Sequence, residues 1–202
     1  MWYFRSLILL ISCLIISCSP IGNIPTNVDV KGYGVSYFSD SNQDYFYQME
    51  MEVYGRYFTG IVVVKKIESH LYRIAFTTEL GNKLLDFELS NDGLQLHFAV
   101  TGLQNKRILK LLETHFKTIL VQQFDLYGKT DTANGLMYQA KANHRNISFQ
   151  IDKQGLLDKI VIHKGKKDYI IYDFFVKNSI FVEQMQILQP NIKYKMNLKR
   201  IL

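Results

Sequence analysis

Between Pro25 and Pro190 the chain contains no proline, and the second half of that interval and most of the first are filled by short segments in which apolar and polar residues alternate. Proline is excluded from sheet interiors because it lacks the N–H that the ladder needs. A long proline-free run of period-two segments therefore points to an extended antiparallel sheet. Segments 45–53, 57–66, 71–78, 83–89 and 94–100 follow one another with short turns. Tyr72, Ile74 and Phe76 share one strand face, as do Leu85, Phe87 and Leu89, and Leu94, Leu96, Phe98 and Val100. Asn91-Asp92-Gly93 is a strong hairpin signal.

The period then changes. In the stretch QNKRILKLLETHFKTILVQQ the apolar positions are Ile108, Leu111, Leu112, His115/Phe116, Ile119 and Leu120, which is the spacing of an amphipathic helix with Lys and Glu on its outer face. Strands resume at 136–142, 146–151, 157–163, 169–176, 180–188 and 192–201. The predicted fold class is mainly β with few helices: a strongly curved antiparallel sheet of about eleven strands wrapped on one main amphipathic helix. Several strands carry apolar residues on both faces, as in Tyr169-Ile170-Ile171-Tyr172. That surplus is either additional core or the lining of a cavity, and the pattern leaves open which strand face looks inward.

The N-terminus sets the compartment. MWYFRSLILLISCLIISCSP holds one charge, Arg5, before an apolar run with the length of a signal-peptide h-region, short of the ~20 residues of a membrane span. Ile15-Ile16-Ser17-Cys18 resembles a bacterial lipobox, in which the cysteine is lipidated and becomes the first mature residue. Leu10-Ile11-Ser12-Cys13 also fits but leaves a shorter h-region, so Cys18 is preferred; an ordinary secretory signal with an incidental cysteine is the alternative. The expected organisation is a signal peptide at 1–17, a lipidated cysteine with a flexible Ser/Asn/Asp/Gly-rich tether at 18–43, and one domain at 44–202.

Both cysteines lie in the first twenty residues, so cleavage before Cys18 keeps only the lipidated one and leaves no disulfide, thiolate nucleophile or cysteine metal site in the domain. The net charge of +6 includes Arg5 and falls by one on cleavage, to +5. The lysines are dispersed through turns and polar faces and read as solvated, with weak attraction to anionic lipid a distant second; with no basic block interleaved with aromatics, no nucleic-acid role is expected. No G-x-S-x-G, H-E-x-x-H, Walker or G-x-G-x-x-G motif occurs. The five histidines, His70, His97, His115, His144 and His163, lack partners at ligand spacing, and Asp86 and Glu88 read as a solvated strand face. No catalytic residue, metal or cofactor is expected, although a triad assembled from distant residues has no local signature.

One turn breaks the usual pattern. Glu79-Leu80-Gly81-Asn82 places a large apolar residue at a hairpin tip; single exposed leucines are common, yet this one has context. The run Leu71-Tyr72-Arg73-Ile74-Ala75-Phe76-Thr77-Thr78-Glu79-Leu80-Gly81-Asn82, continuing into Leu84-Leu85-Asp86-Phe87-Glu88-Leu89, resembles the LolB family. So does the order lipobox, tether, hairpin, Tyr-Arg strand, Leu-Gly turn, Gly hairpin, helix and long C-terminal meander. LolB is the outer-membrane lipoprotein that takes lipoproteins from the periplasmic carrier LolA and inserts them into the outer membrane. Two departures stand out: the mature chain has no tryptophan, and the stretch from Gln122 to Ala142 does not follow the family pattern.

The resemblance implies an incomplete, open β-barrel enclosing an apolar cavity for acyl chains, with helices against its concave side. It gives Leu80 and Gly81 the role of a membrane-insertion tip. The cavity candidates are Tyr72, Ile74, Phe76, Leu85, Phe87, Leu96 and Phe98 from the strands and Ile108, Leu112 and Phe116 from the helix. The expected function is a monomeric, lipid-anchored acceptor and chaperone at the outer membrane, facing the periplasm. Its partners would be acylated lipoproteins or lipid and a LolA-like carrier, acting by binding and transfer without covalent chemistry. Burying one leucine contributes about 1.5–3 kcal/mol, whereas each acyl CH₂ contributes about 0.8 kcal/mol. The lipid on Cys18 is thus the anchor, and Leu80 only touches. The rival reading is a non-catalytic structural or interaction lipoprotein of the same fold with a filled interior; a lipid-modifying enzyme comes third.

Overall fold

The computed structural model describes residues 26–165, 167–177 and 181–201. The signal peptide at 1–17, the alternative Cys13, the lipidation site Cys18 and the first part of the tether lie outside the described residues.

All thirteen strands among the described residues belong to one sheet. After β1 (Thr26–Tyr33) comes a first meander, β2 (Asp44–Val53), β3 (Arg56–Glu68), β4 (Leu71–Thr77), β5 (Lys83–Ser90) and β6 (Gly93–Ala99). Helix α1 (Lys106–Leu120) follows. The second meander is β7 (Phe124–Thr132), β8 (Gly135–Ala142), β9 (Arg145–Asp152), β10 (Leu157–Lys164), β11 (Lys167–Val176), β12 (Val182–Gln189) and β13 (Tyr194–Arg200). Neighbours pair antiparallel throughout, and the two meanders are zipped together by β13 against β2, from Tyr194↔Val53 to Arg200↔Tyr47. β1 pairs with β7. The sheet is not closed, and β1 and β6 are its edges.

One strand face is buried. On β2 it carries Tyr45, Tyr47, Met49, Met51 and Val53, and the same alternation runs through β4, β9, β11 and β13. The strand is defined by this alternation because successive side chains point to opposite faces. Buried tyrosines keep their hydroxyls satisfied: Tyr47 donates to the Val182 carbonyl at 2.9 Å and Tyr37 to the Leu157 carbonyl at 2.7 Å. Helix α1 starts where Asn105 Oδ1 accepts from the Arg107 N–H at 2.8 Å, an N-cap bond. It turns Ile108, Leu112, His115, Phe116 and Ile119 inward. Phe116 meets Phe87 of β5 edge to face at 5.9 Å, while His115 meets rings of β11 and β13, so α1 touches both meanders.

Two expectations are corrected. The sheet has thirteen strands rather than about eleven; β1 and β7 are the additions. Phe124, Leu126, Gly128 and Thr130 alternate inward on β7, and a glycine and a threonine at half of these positions hide the pattern. The tether does not extend to residue 43, since Thr26–Tyr33 is a strand and Val35, Tyr37 and Phe38 belong to the core. Phe38 packs against Tyr45 and Tyr47 at 5.3 and 5.9 Å, which fastens this segment onto β2.

Candidate functional site

The β4–β5 apex is a short closed loop. Gly81 N–H donates to the Thr78 carbonyl at 2.9 Å, Thr78 N–H donates to the Asn82 carbonyl at 2.9 Å, and Asn82 N–H reaches Thr78 Oγ1 at 3.1 Å. The hydrogen-bonded turn therefore spans Thr78 to Gly81, one residue earlier than the sequence suggested. Gly81 sits at φ +83°, the left-handed position that ends a three-residue hairpin loop, and it is the residue that adopts it without steric cost. Leu80 stands at the apex with 91 % of its surface exposed. Below it, Gly60 of β3 has φ +155°, and a Cβ there would come within 2.0 Å of the Thr77 carbonyl. That glycine lets β3 and β4 approach closely at the base of the hairpin.

The outward face of the same hairpin carries an ion-pair network. Arg73 Nε donates to Asp86 Oδ1 at 2.6 Å, its Nη2 to Asp86 Oδ2 at 3.1 Å, and its Nη1 to Glu88 Oε1 at 2.8 Å. Lys83 Nζ adds a bond to Asp86 Oδ2 at 2.7 Å. The Arg73 guanidinium, seconded by Lys83, holds the Asp86 carboxyl down at about 2. Asp86 is thus buried rather than solvated, which corrects the expectation of an open polar face. Both of its carboxylate oxygens accept charge-assisted bonds, so this is a clamp that stiffens the hairpin below Leu80.

The acyl-cavity candidates divide. Tyr72, Ile74, Phe76, Leu85, Phe87, Ile108, Leu112 and Phe116 come together, all buried in one continuous core. Leu96 and Phe98 do not join them, being 39 % and 43 % exposed. Leu96 faces Phe87 on the inner side but lies on the edge strand, where no further strand covers it. Phe98 is turned outward: Phe87 pairs with Leu96 and Asp86 with Phe98, so β6 carries one extra residue, His97, and the strand changes face there. The alternation of Leu94, Leu96 and Phe98 cannot reveal that bulge.

His115 was hidden on the apolar side of the helix pattern. It is fully buried, its Nδ1 lies 3.0 Å from the Tyr172 hydroxyl, and its Nε2 is buried with no partner among the described residues. Burial pushes its pKa down to about 3, so the ring is neutral.

The inner face is packed. Tyr72 and Ile108 reach surface clefts of about 130 and 310 Å³. A groove of about 720 Å³ lies instead over the outer face of β2, β13, β12, β11 and β10. Its floor includes the row Glu50, Asn197, Gln186, Asp173 and Lys159, in which Gln186 donates to Asn197 at 2.9 Å and Lys159 pairs with Asp173 at 3.0 Å. Among the described residues no three His, Cys, Asp or Glu side chains gather to hold a metal, and no helix is long and apolar enough to cross a membrane.

No protein-family model matches the chain, and no curated protein matches it. Among solved structures it is similar to a DUF1329 family protein from Desulfovibrio piger, at 11% identity and a TM-score of 0.45, over 79% of this chain and 84% of that one.

Proposed function

We propose that this protein is a lipid-anchored, LolB-like acceptor that binds the acyl chains of lipoproteins and delivers them into the outer membrane from its periplasmic side. The observation that carries the reading is Leu80, 91 % exposed at the tip of a clamped hairpin. A leucine held out by a hydrogen-bonded loop, with Arg73 bracing the strands beneath it, suits brief contact with a bilayer. In this account the sheet is an open half-barrel wrapped on α1, and acyl chains from a LolA-like carrier enter between the helix and β4–β5. The buried candidates Tyr72, Ile74, Phe76, Leu85, Phe87, Ile108, Leu112 and Phe116 then become cavity lining only when the helix moves away. The unpartnered His115 Nε2 favours such opening, because a buried unsatisfied polar atom costs about 1–3 kcal/mol in the closed form. Cys18 carries the anchoring lipid, and the domain works as a monomer without a cofactor.

A second reading, a non-catalytic interaction lipoprotein of the cell envelope, is favoured by the filled inner face and by the 720 Å³ groove on the outer one. Mass spectrometry of the protein purified from membranes separates the two. The acceptor reading expects a lipid-modified Cys18 and co-purified lipid or lipopeptide. A lipid-modified Cys18 on a protein free of any acyl ligand, and unable to take up a fluorescent acylated peptide, would favour the interaction reading.

A further inference from the structure

The end of the sheet that presents Leu80 presents a second apex. β2–β3 and β4–β5 are alternate turns of one antiparallel meander, so Tyr54-Gly55 and Leu80-Gly81 project from the same end. Tyr57 beside the first apex is 74 % exposed, and Tyr54 is about half exposed. The segment leading into α1 closes against this apex, where Arg56 Nη1 donates to the Gly102 carbonyl at 3.3 Å. Between them lies the cleft of about 310 Å³, lined by Tyr54, Arg56, Asn105, Arg107 and Ile108. Two arginines thus line one small cavity, and neither Arg56 nor Arg107 has an ion pair among the described residues.

The surroundings share the sign. Lys106 adjoins Arg107, and Lys193 lies in the turn before Tyr194, which pairs with Val53 just below the apex. Glu52 and Glu79 are acids at this end; Glu52 faces Lys195 across the β2–β13 pair and Tyr57 across the β2–β3 pair. A cationic cleft lined by the exposed Tyr54, with Tyr57 and Leu80 exposed at the same end of the sheet, combines the groups that a bilayer surface accepts. Phosphates lie outermost, and tyrosine rings settle at headgroup level.

We propose that this end of the domain docks on anionic phospholipid, with Arg56 and Arg107 holding a headgroup phosphate in the cleft while Leu80, Tyr54 and Tyr57 enter the interface. Guanidinium groups suit the task because their paired N–H donors match phosphate oxygens. The proposal rests on the reading that Leu80 faces the membrane, and it adds the lipid class and the residues that select it. Leu80 supplies contact with any bilayer, whereas the arginines make that contact depend on charge.

Vesicle sedimentation tests it, using the chain from Ser19, which retains every described strand, the helix and the whole core. Binding is expected to vesicles of phosphatidylcholine with phosphatidylglycerol, to weaken as salt rises, and to be much poorer on phosphatidylcholine alone. Arg56→Gln with Arg107→Gln should lower affinity for the anionic vesicles by roughly 25-fold, about fivefold per arginine, with an unchanged melting temperature. Equal, salt-independent binding to both vesicle types would overturn the proposal, as would a folded double variant with undiminished binding. Uptake of a fluorescent acylated peptide by the same samples tests the acceptor reading separately. Charge-dependent vesicle binding without peptide uptake would sink that reading and leave the headgroup site standing.

Discussion

The imidazole of His115 on α1 stacks on the ring of Tyr194 on β13, with centroids 4.4 Å apart and planes 19° from parallel. The same imidazole meets the Tyr172 hydroxyl of β11 through Nδ1. One turn earlier and later the helix offers Leu112, Ile119 and the buried Thr118 to the core, and Thr118 returns its hydroxyl to the Thr114 carbonyl of the helix itself. His115 is a polar pivot between the helix and the second meander, while Phe116 holds it to β5 in the first.

That pivot makes the fold acid-sensitive. His115 titrates near 6.5 when unfolded but only at about 3 when folded. Between those values the unfolded chain binds the extra proton, so the stability that His115 leaves intact above pH 6.5 is lost progressively as pH falls toward 3. Asp86, held at about 2, adds a further loss below about pH 4. His115→Leu should flatten the fall in melting temperature between pH 6.5 and 4.5 and leave the loss below pH 4 in place. An identical slope in the two proteins would mean that His115 is protonated or solvated in the fold.

Arg73→Ala should destabilise the domain by about 2 kcal/mol, because it leaves the buried Asp86 carboxylate with Lys83 alone. Hydrogen exchange should quicken first in β4 and β5. A chemical denaturation midpoint equal to the wild type would show that the clamp contributes nothing to the hairpin.

Phe116→Asp places a carboxylate against Phe87 in the buried apolar core. An unpaired buried charge is costly, so the variant should either unfold or release the helix and lose acylated-peptide binding. A variant with wild-type melting and binding would show that this helix face neither packs nor lines the site.

Much of the fold is legible in the sequence. Asn91-Asp92-Gly93 does turn β5 into β6, with Ser90 facing Gly93, and the helix spans the stretch where the period changes. The exposed place of Leu80 followed from turn chemistry alone. Three features lacked a local signal. β7 places Gly128 and Thr130 at half of its inward positions, and β1 shifts register twice along β7, so neither shows strong alternation. The bulge at His97 reverses Phe98 through strand pairing, which no single segment encodes. Asp86 alternates outward as expected, yet Arg73 and Lys83 close over it, and burial of that kind depends on partners thirteen and three residues away.

The most direct test of the account replaces Leu80. At 91 % exposure, Leu80→Asp should shift stability by no more than about 0.5 kcal/mol, as at other surface sites. A charge at the membrane-facing tip should nevertheless block delivery. In reconstitution with a LolA-like carrier, an acylated lipoprotein and acceptor vesicles, the variant should still take cargo from the carrier but insert it far more slowly than the wild type. Wild-type insertion by a stable Leu80→Asp protein would contradict the account and reduce Leu80 to an ordinary exposed side chain.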